Sequence, residues 1–177
     1  MKKLLFTLLL AALVLPYATA QGKLEVGQKA PEWVLPDADK KEFTMNTWPG
    51  KVLQINYVDP DESDLNDAFN DAVNKATDVD KIISENDFKG FGIVDLKSTW
   101  KPNALVRSIA DKKAKKYDTT ILFDYEGVLH QDWGMPKDSY TVVLVDKNRI
   151  VRGVYKGKIA DADIPGIVDM IVKLSKE

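Results

Sequence analysis

The chain contains no cysteine, and it contains one histidine, His130. The first absence excludes disulfide exchange, and it excludes peroxide reduction through a sulfenic acid, because both need a thiol. The second removes the ligand pairs from which zinc sites are built. Phosphate-binding signatures are also missing. Gly90-Phe91-Gly92 has neither the Walker lysine nor the Rossmann glycine spacing. No internal repeat, low-complexity tract or long linker divides the sequence. Charge is nearly balanced, with 25 Lys and Arg against 27 Asp and Glu, which gives no global bias towards nucleic acid.

What is present begins with a leader. Met1 to Ala20 has a basic start at Lys2 and Lys3, an apolar run from Leu4 to Leu15, and Ala18-Thr19-Ala20 before Gln21. This is the pattern of a cleaved secretory signal peptide. The apolar run is shorter than the ~20 residues a spanning helix needs, and with no cysteine after it there is no lipoprotein anchor. The mature chain, 21–177, is therefore expected in the periplasm as one domain without a stable membrane anchor. Loss of Lys2 and Lys3 takes its formal charge from −2 to −4.

The stretch from Gly50 to Ala76 organises the rest. Val52, Leu53, Ile55, Tyr57 and Val58 make a short apolar run that suits a buried strand. Gln54 and Asn56 interrupt it, and the simplest expectation is that they bond neighbouring backbone. Leu65, Ala68, Phe69, Ala72, Val73 and Ala76 recur at helical spacing. Asp61, Glu62 and Ser63 stand at the expected start of that helix, where they would cap it and match its dipole. Short apolar pieces at Trp33–Leu35 and Phe43–Met45 read as a small hairpin or edge strands. Residues 78–87 read as a helical turn or loop, Gly90 to Leu96 as a second buried strand, and Asn103 as the cap of a helix with Leu105, Val106, Ile109 and Ala110 inward. A strand at 120–124, a helical stretch to Trp133, a hairpin turning at Asp146-Lys147-Asn148 and a helix opening near Asp163 complete the chain. Strand and helix alternating in this way imply a parallel pair at the centre of an α/β sheet.

Several local strings then resemble a known group. Gly27-Gln28-Lys29-Ala30-Pro31, Gly50-Lys51-Val52, Thr119 to Asp124, Gly127-Val128-Leu129, Trp133-Gly134 and Val142 to Asn148 are similar to the thioredoxin-like thiol-disulfide oxidoreductases and peroxiredoxins. Lys51-Val52, Leu53-Gln54, Val106-Arg107-Ser108 and Val143 to Asp146 resemble the cysteine-free YtfJ family of periplasmic proteins. The resemblance implies an α/β fold, a thioredoxin-like three-layer sandwich with a central mixed sheet flanked by helices. On that pattern the Cys-x-x-Cys positions fall near Glu62 to Leu65, and the position of the usual cis-proline falls near Tyr140. Both hallmarks are missing, so a redox-inactive domain is implied, with no cofactor.

Ligands of open α/β sheets bind at the carboxyl ends of the parallel strands. The candidate binding residues are accordingly Asp59, Asp61, Glu62, Ser63, Lys97, Trp100 and Tyr140, facing a periplasmic protein or a small ligand. Two alternatives use the acidic loop from Asp59 to Asp64. One is a non-thiol enzyme whose acid has a raised pKa; the other is a site for a hard cation. His130 reads as a surface or half-buried side chain. Arg107, Lys112, Lys113, Lys115 and Lys116 read as cations solvated at a helix C-terminus rather than as a patch for a membrane surface. The four tryptophans read as core or half-buried anchors.

Overall fold

The computed structural model describes residues 23–177, and the leader expected at 1–20 lies outside them. A small antiparallel hairpin of β1 (Val34–Pro36) and β2 (Glu42–Thr44) comes first. The main sheet is built around β3 (Val52–Val58). β4 (Phe88–Asp95) runs parallel to it on one side, and β5 (Thr120–Asp124) runs parallel to β4. On the other side lie β6 (Tyr140–Val145), antiparallel to β3, and β7 (Val151–Lys156), antiparallel to β6. The order β5-β4-β3-β6-β7 makes a mixed five-stranded sheet with its parallel strands on one side. The helices are α1 (Asp67–Asn74), α2 (Asn103–Lys116), α3 (Val128–Asp132) and α4 (Ile164–Lys176).

The alternation of side chains along β3 creates two cores. Leu53, Ile55 and Tyr57 face the hairpin side, where Trp33, Met45 and Leu129 are buried with them. Val52 faces the other way, against Phe69 and Val73 of α1 and Ile167 and Ile171 of α4. Farther along that second face, Val106 and Ala110 of α2 cover Val94 and Phe123. Each fully buried large side chain contributes about 1.5–3 kcal/mol, so a chain with no disulfide still has enough core to hold one fold. Among the described residues no helix is long and apolar enough to cross a membrane.

Four local expectations need correction. The first helix begins later than its polar start suggests. Pro60 to Glu62 form a separate 3₁₀ turn capped by the Asp59 side chain, and α1 opens only at Asp67, ending in a π turn over 75–79. Asn66, which stands at the α1 cap position, instead donates to the Gly157 carbonyl at 3.0 Å and accepts from the Ile159 N–H at 2.9 Å. α2 has no side-chain cap, since Pro102 precedes it, and Leu105 turns to solvent. Gln54 bonds side chains rather than backbone, donating to Asn56 Oδ1 at 3.2 Å and Asn70 Oδ1 at 3.0 Å.

Candidate functional site

Three strands of the sheet end, at the carboxyl side of the parallel pair, on a buried aspartate: Asp59, Asp95 and Asp124. Each carboxylate turns back to accept N–H groups of the loop that follows. Asp59 takes Asp61 N–H at 2.7 Å. Asp95 takes those of Lys97 at 3.0 Å and Ser98 at 3.2 Å. Asp124 takes those of Val128 and Leu129, at 2.8 and 3.0 Å. Asp146, at the end of β6, does the same for Asn148 and Ile150. The short Asp side chain reaches backbone two to five residues on and fixes the turn. The signal was in the sequence, where each of these apolar runs stops at Asp: Val58-Asp59, Val94-Asp95, Phe123-Asp124 and Val145-Asp146.

Beneath this edge lies a polar cluster that the sequence reading did not assemble. His130 on α3 bonds the Met135 carbonyl through Nδ1 at 2.8 Å, so Nδ1 carries a proton. Its Nε2 meets both Asp95 Oδ2 and, at 3.0 Å, Ser98 Oγ. Serine and carboxylate therefore share one ring nitrogen. A nucleophilic triad needs them on opposite nitrogens, so the geometry is that of a structural clamp. Tyr57 donates to Asp124 Oδ2 at 3.3 Å. Burial first, then the charges of Asp124 and Asp95, push its hydroxyl far above the ordinary value and keep it a donor. Gly127, at φ 69°, opens α3, and a Cβ there would lie 3.2 Å from His130 Cδ2 and 3.3 Å from Lys97 Cγ.

Asp59, only 3% exposed, has its carboxyl raised above the ordinary value. Burial is the main cause; the Asp61 N–H bond opposes it, and the charges of Asp61, Asp95 and Asp138 add to it. Asp61 pairs with Lys101 from the loop after β4. Glu62 and Ser63 are half-buried, and Lys97 is exposed. Trp33 and Trp133 are core and Trp48 is half-buried, but Trp100 stands 83% exposed on the 96–102 loop, not anchored as expected. Tyr140 is buried, and its hydroxyl accepts from Asn70 Nδ2 at 3.0 Å. The structure thus brings Asp59, Asp61 and the Trp100 loop together and places Tyr140 inside, under α1.

The acidic loop does not converge on a cation. Asp59 turns inward, Asp61 goes to Lys101 and Asp64 to Lys113. Among the described residues no group of three or more His, Asp or Glu side chains is placed to hold a metal ion. The basic run on α2 is also only partly solvated. Lys113 pairs with Asp64 at 2.7 Å and Asp67 at 2.6 Å, and Lys116 with Asp67 at 3.2 Å and Asp71 at 3.4 Å. The acidic face of the α1 segment and the basic end of α2 neutralise each other.

A mixed sheet of this order, with helices on it and no thiol at the edge where the redox centre would stand, defines a thioredoxin-like domain that can carry out neither disulfide exchange nor thiol peroxidase chemistry. Solved structures bear out the fold. The thioredoxin domain of a thiol-disulfide oxidoreductase from Bacteroides vulgatus is similar with a TM-score of 0.59 at 12% identity, over 85% of this chain and 99% of that one. A reduced 2-Cys peroxiredoxin from Plasmodium vivax is similar with a TM-score of 0.57 at 20% identity, over 86% of this chain and 99% of that one. The family model described as bacterial protein of unknown function (YtfJ_HI0045) matches residues 29–174, and the chain belongs to that family. The uncharacterized protein YtfJ of Escherichia coli (strain K12) is similar at 24% identity over 183 residues, spanning 96% of this chain and 97% of that protein.

Proposed function

We propose that this chain is an exported, periplasmic binding module that recognises a protein partner with the loops at the carboxyl edge of β3 and β4. The observation that carries the reading is Trp100. An indole left 83% exposed forgoes about 1.5–3 kcal/mol of burial, and tryptophan is among the side chains that most often dominate an interface. Its loop is tied at both ends, through Asp95 to Lys97 and Ser98 and through Lys101 to Asp61. A tied loop loses little entropy when it binds. Export rests on the leader pattern at residues 1–20.

The alternative, acid–base catalysis by a carboxylate at this edge, finds its raised group in Asp59. That group is buried and already holds a backbone N–H, which argues for support of the turn rather than contact with a substrate.

Site-specific photocrosslinking in the native envelope tests the proposal, with the probe at Glu62 or Lys97 and a control at Lys115. The expected result is a discrete adduct from the first two positions that disappears in a Trp100→Ala background. Adducts from Lys115 alone, or adducts indifferent to Trp100, overturn it.

A further inference from the structure

Between α1 and α2, over β3 and β4, the second face of the sheet bounds a cavity of about 510 Å³. That volume lies in the range of small-molecule sites. Gly90 and Gly92 line it, together with Gln54, Asn56, Asn70 and Tyr140.

Two independent features of its wall point to a ligand. The first is an unfinished hydrogen-bond chain. Asn56 donates to the Phe91 carbonyl at 3.4 Å, Gln54 donates to Asn56 and Asn70, and Asn70 donates to the Tyr140 hydroxyl. Gln54 is 3% exposed, yet its Oε1 has no partner. Turning the carboxamide over does not help. Asn56, whose Nδ2 is held by the Phe91 carbonyl, presents its oxygen to Gln54, so the donor end of Gln54 must face it and Oε1 stays unpaired. An orphaned polar atom at this depth is costly, and it sits 3.9 Å from where a Cβ on Gly90 would be.

The second is the pair of glycines in the middle of a central strand, where each weakens the strand relative to alanine. Neither is required by crowding. A Cβ at Gly92 would meet only the Ile121 side chain, at 3.6 Å, and one at Gly90 the Phe88 ring, at 3.7 Å, besides Gln54. Both are ordinary contacts. What the glycines preserve is open space above β4, the use that a close-approaching ligand makes of glycine in a strand.

We infer that this cavity binds a small uncharged molecule carrying an amide. The Tyr140 hydroxyl, already accepting from Asn70, has its own proton to donate, and Gln54 offers an acceptor. An amide supplies the matching carbonyl and N–H. Gln54, Asn56, Asn70 and Tyr140 are neutral, and of the charged residues that also line the cavity Asp78, Lys81, Glu85 and Asp118 are exposed while Lys51, Lys89 and Lys113 are half-buried, so an uncharged ligand suits the groups nearest Gln54. Val58, Val94 and Val106 supply the apolar remainder. This site shares the turn at Pro60 and Ser63 with the Trp100 edge, but the inference does not rest on the proposed partner binding there.

The test is titration of the ¹⁵N-labelled chain with N-acetylglucosamine and with N-acetylalanine N-methylamide, using glucose as the ring control without an amide. At least one amide probe should give saturable shifts of the Gln54 and Asn70 side-chain amides and of Gly90 and Gly92, with an affinity of about 1 mM, fragment strength. Glucose should be at least ~10-fold weaker, a difference of about 1.4 kcal/mol. Gly92→Ala adds only a Cβ in ordinary contact with Ile121 and should fold; Gly92→Val adds two methyls to the open space and, where it folds, should lose binding. Gln54→Met should weaken binding by a similar factor. Shifts equal for glucose and both amides, shifts confined to the surface, no saturable shift with either amide, or undiminished binding by a folded Gly92→Val protein each overturn the inference.

Discussion

Replacing Lys113 by methionine keeps the side chain's apolar stem and removes the hub of the ion-pair belt between α1 and α2. Two ion pairs are lost, together with the approach of Nζ to the Tyr117 ring at 5.8 Å. Asp64 is mostly exposed, with 81% of its side chain accessible, whereas Asp67 and Lys113 are at 30% and 20%. An exposed pair is worth about 0.2 kcal/mol and a half-buried one up to about 1. The expected loss is therefore about 0.4–1.2 kcal/mol at low salt, and a chain of this size converts each kcal/mol into about 2–4 °C of Tm. Salt should erase most of it, because the screening length falls from about 10 Å at 0.1 M to about 3 Å at 1 M. The pH dependence follows from Asp67. Burial works to raise its carboxyl, but Lys113 and Lys116 together hold it below the ordinary value. A depressed folded pKa gives stability that is present above the ordinary carboxylate range and is lost as pH falls through the lowered value. The gap between wild type and variant should thus be full at pH 7 and close in strong acid. Urea unfolding at two salt concentrations and across pH measures it. A gap independent of both salt and pH would refute the electrostatic account and leave only lost packing.

Two further outcomes concern the edge itself. Asp59 has a raised folded pKa, so the stability it contributes is present below the ordinary carboxylate value and is lost as pH rises through the folded one. Asp59→Asn keeps an oxygen for the Asp61 N–H and removes the charge; it should raise Tm at pH 7, with the advantage shrinking towards pH 4, and a lower Tm at pH 7 would show that the charge is needed. Gly127→Ala should cost about 1–2 kcal/mol by calorimetry, since it puts a side chain at φ 69° and crowds His130 and Lys97; an unchanged Tm would mean that the α3 turn relaxes freely.

How much was legible differs between fold and site for physical reasons. The positions of the strands and helices along the chain follow from apolar periodicity, which is a local property. Val52 to Val58 and Ile164 to Leu174 therefore became β3 and α4 much as their spacing implies. Hydrogen-bond partners across the fold are not local. Nothing near Asn66 in sequence says that its amide is used at Gly157 and Ile159, and that use is why α1 lacks its cap. The acidic run after β3 and the basic run on α2 were each readable, but their pairing depends on two crossovers laying α1 beside α2. Likewise Asp95, Ser98 and His130 are 35 residues apart at the extremes and meet only because β4 and α3 end at the same edge. The one shortcut available was the repeated Asp at the strand ends, a local pattern with a local mechanism.

The turn from Asp59 to Ser63 is where the two candidate sites meet. Pro60 and Ser63 line the cavity, while Asp61 ties the turn to Lys101 in the Trp100 loop. On the thiol-enzyme pattern the Cys-x-x-Cys positions fall near Glu62 to Leu65, at the end of that turn; here the turn lies between an interior space and an exposed aromatic. Occupancy of the cavity and engagement of Trp100 would therefore both bear on one short segment. Any free energy by which one changes the other must be returned in equal amount in the opposite direction. The Asp59 cap limits how far the turn itself can move, since its carboxylate holds Asp61 from within and the Asp59 N–H donates to the Ser139 carbonyl at 2.9 Å.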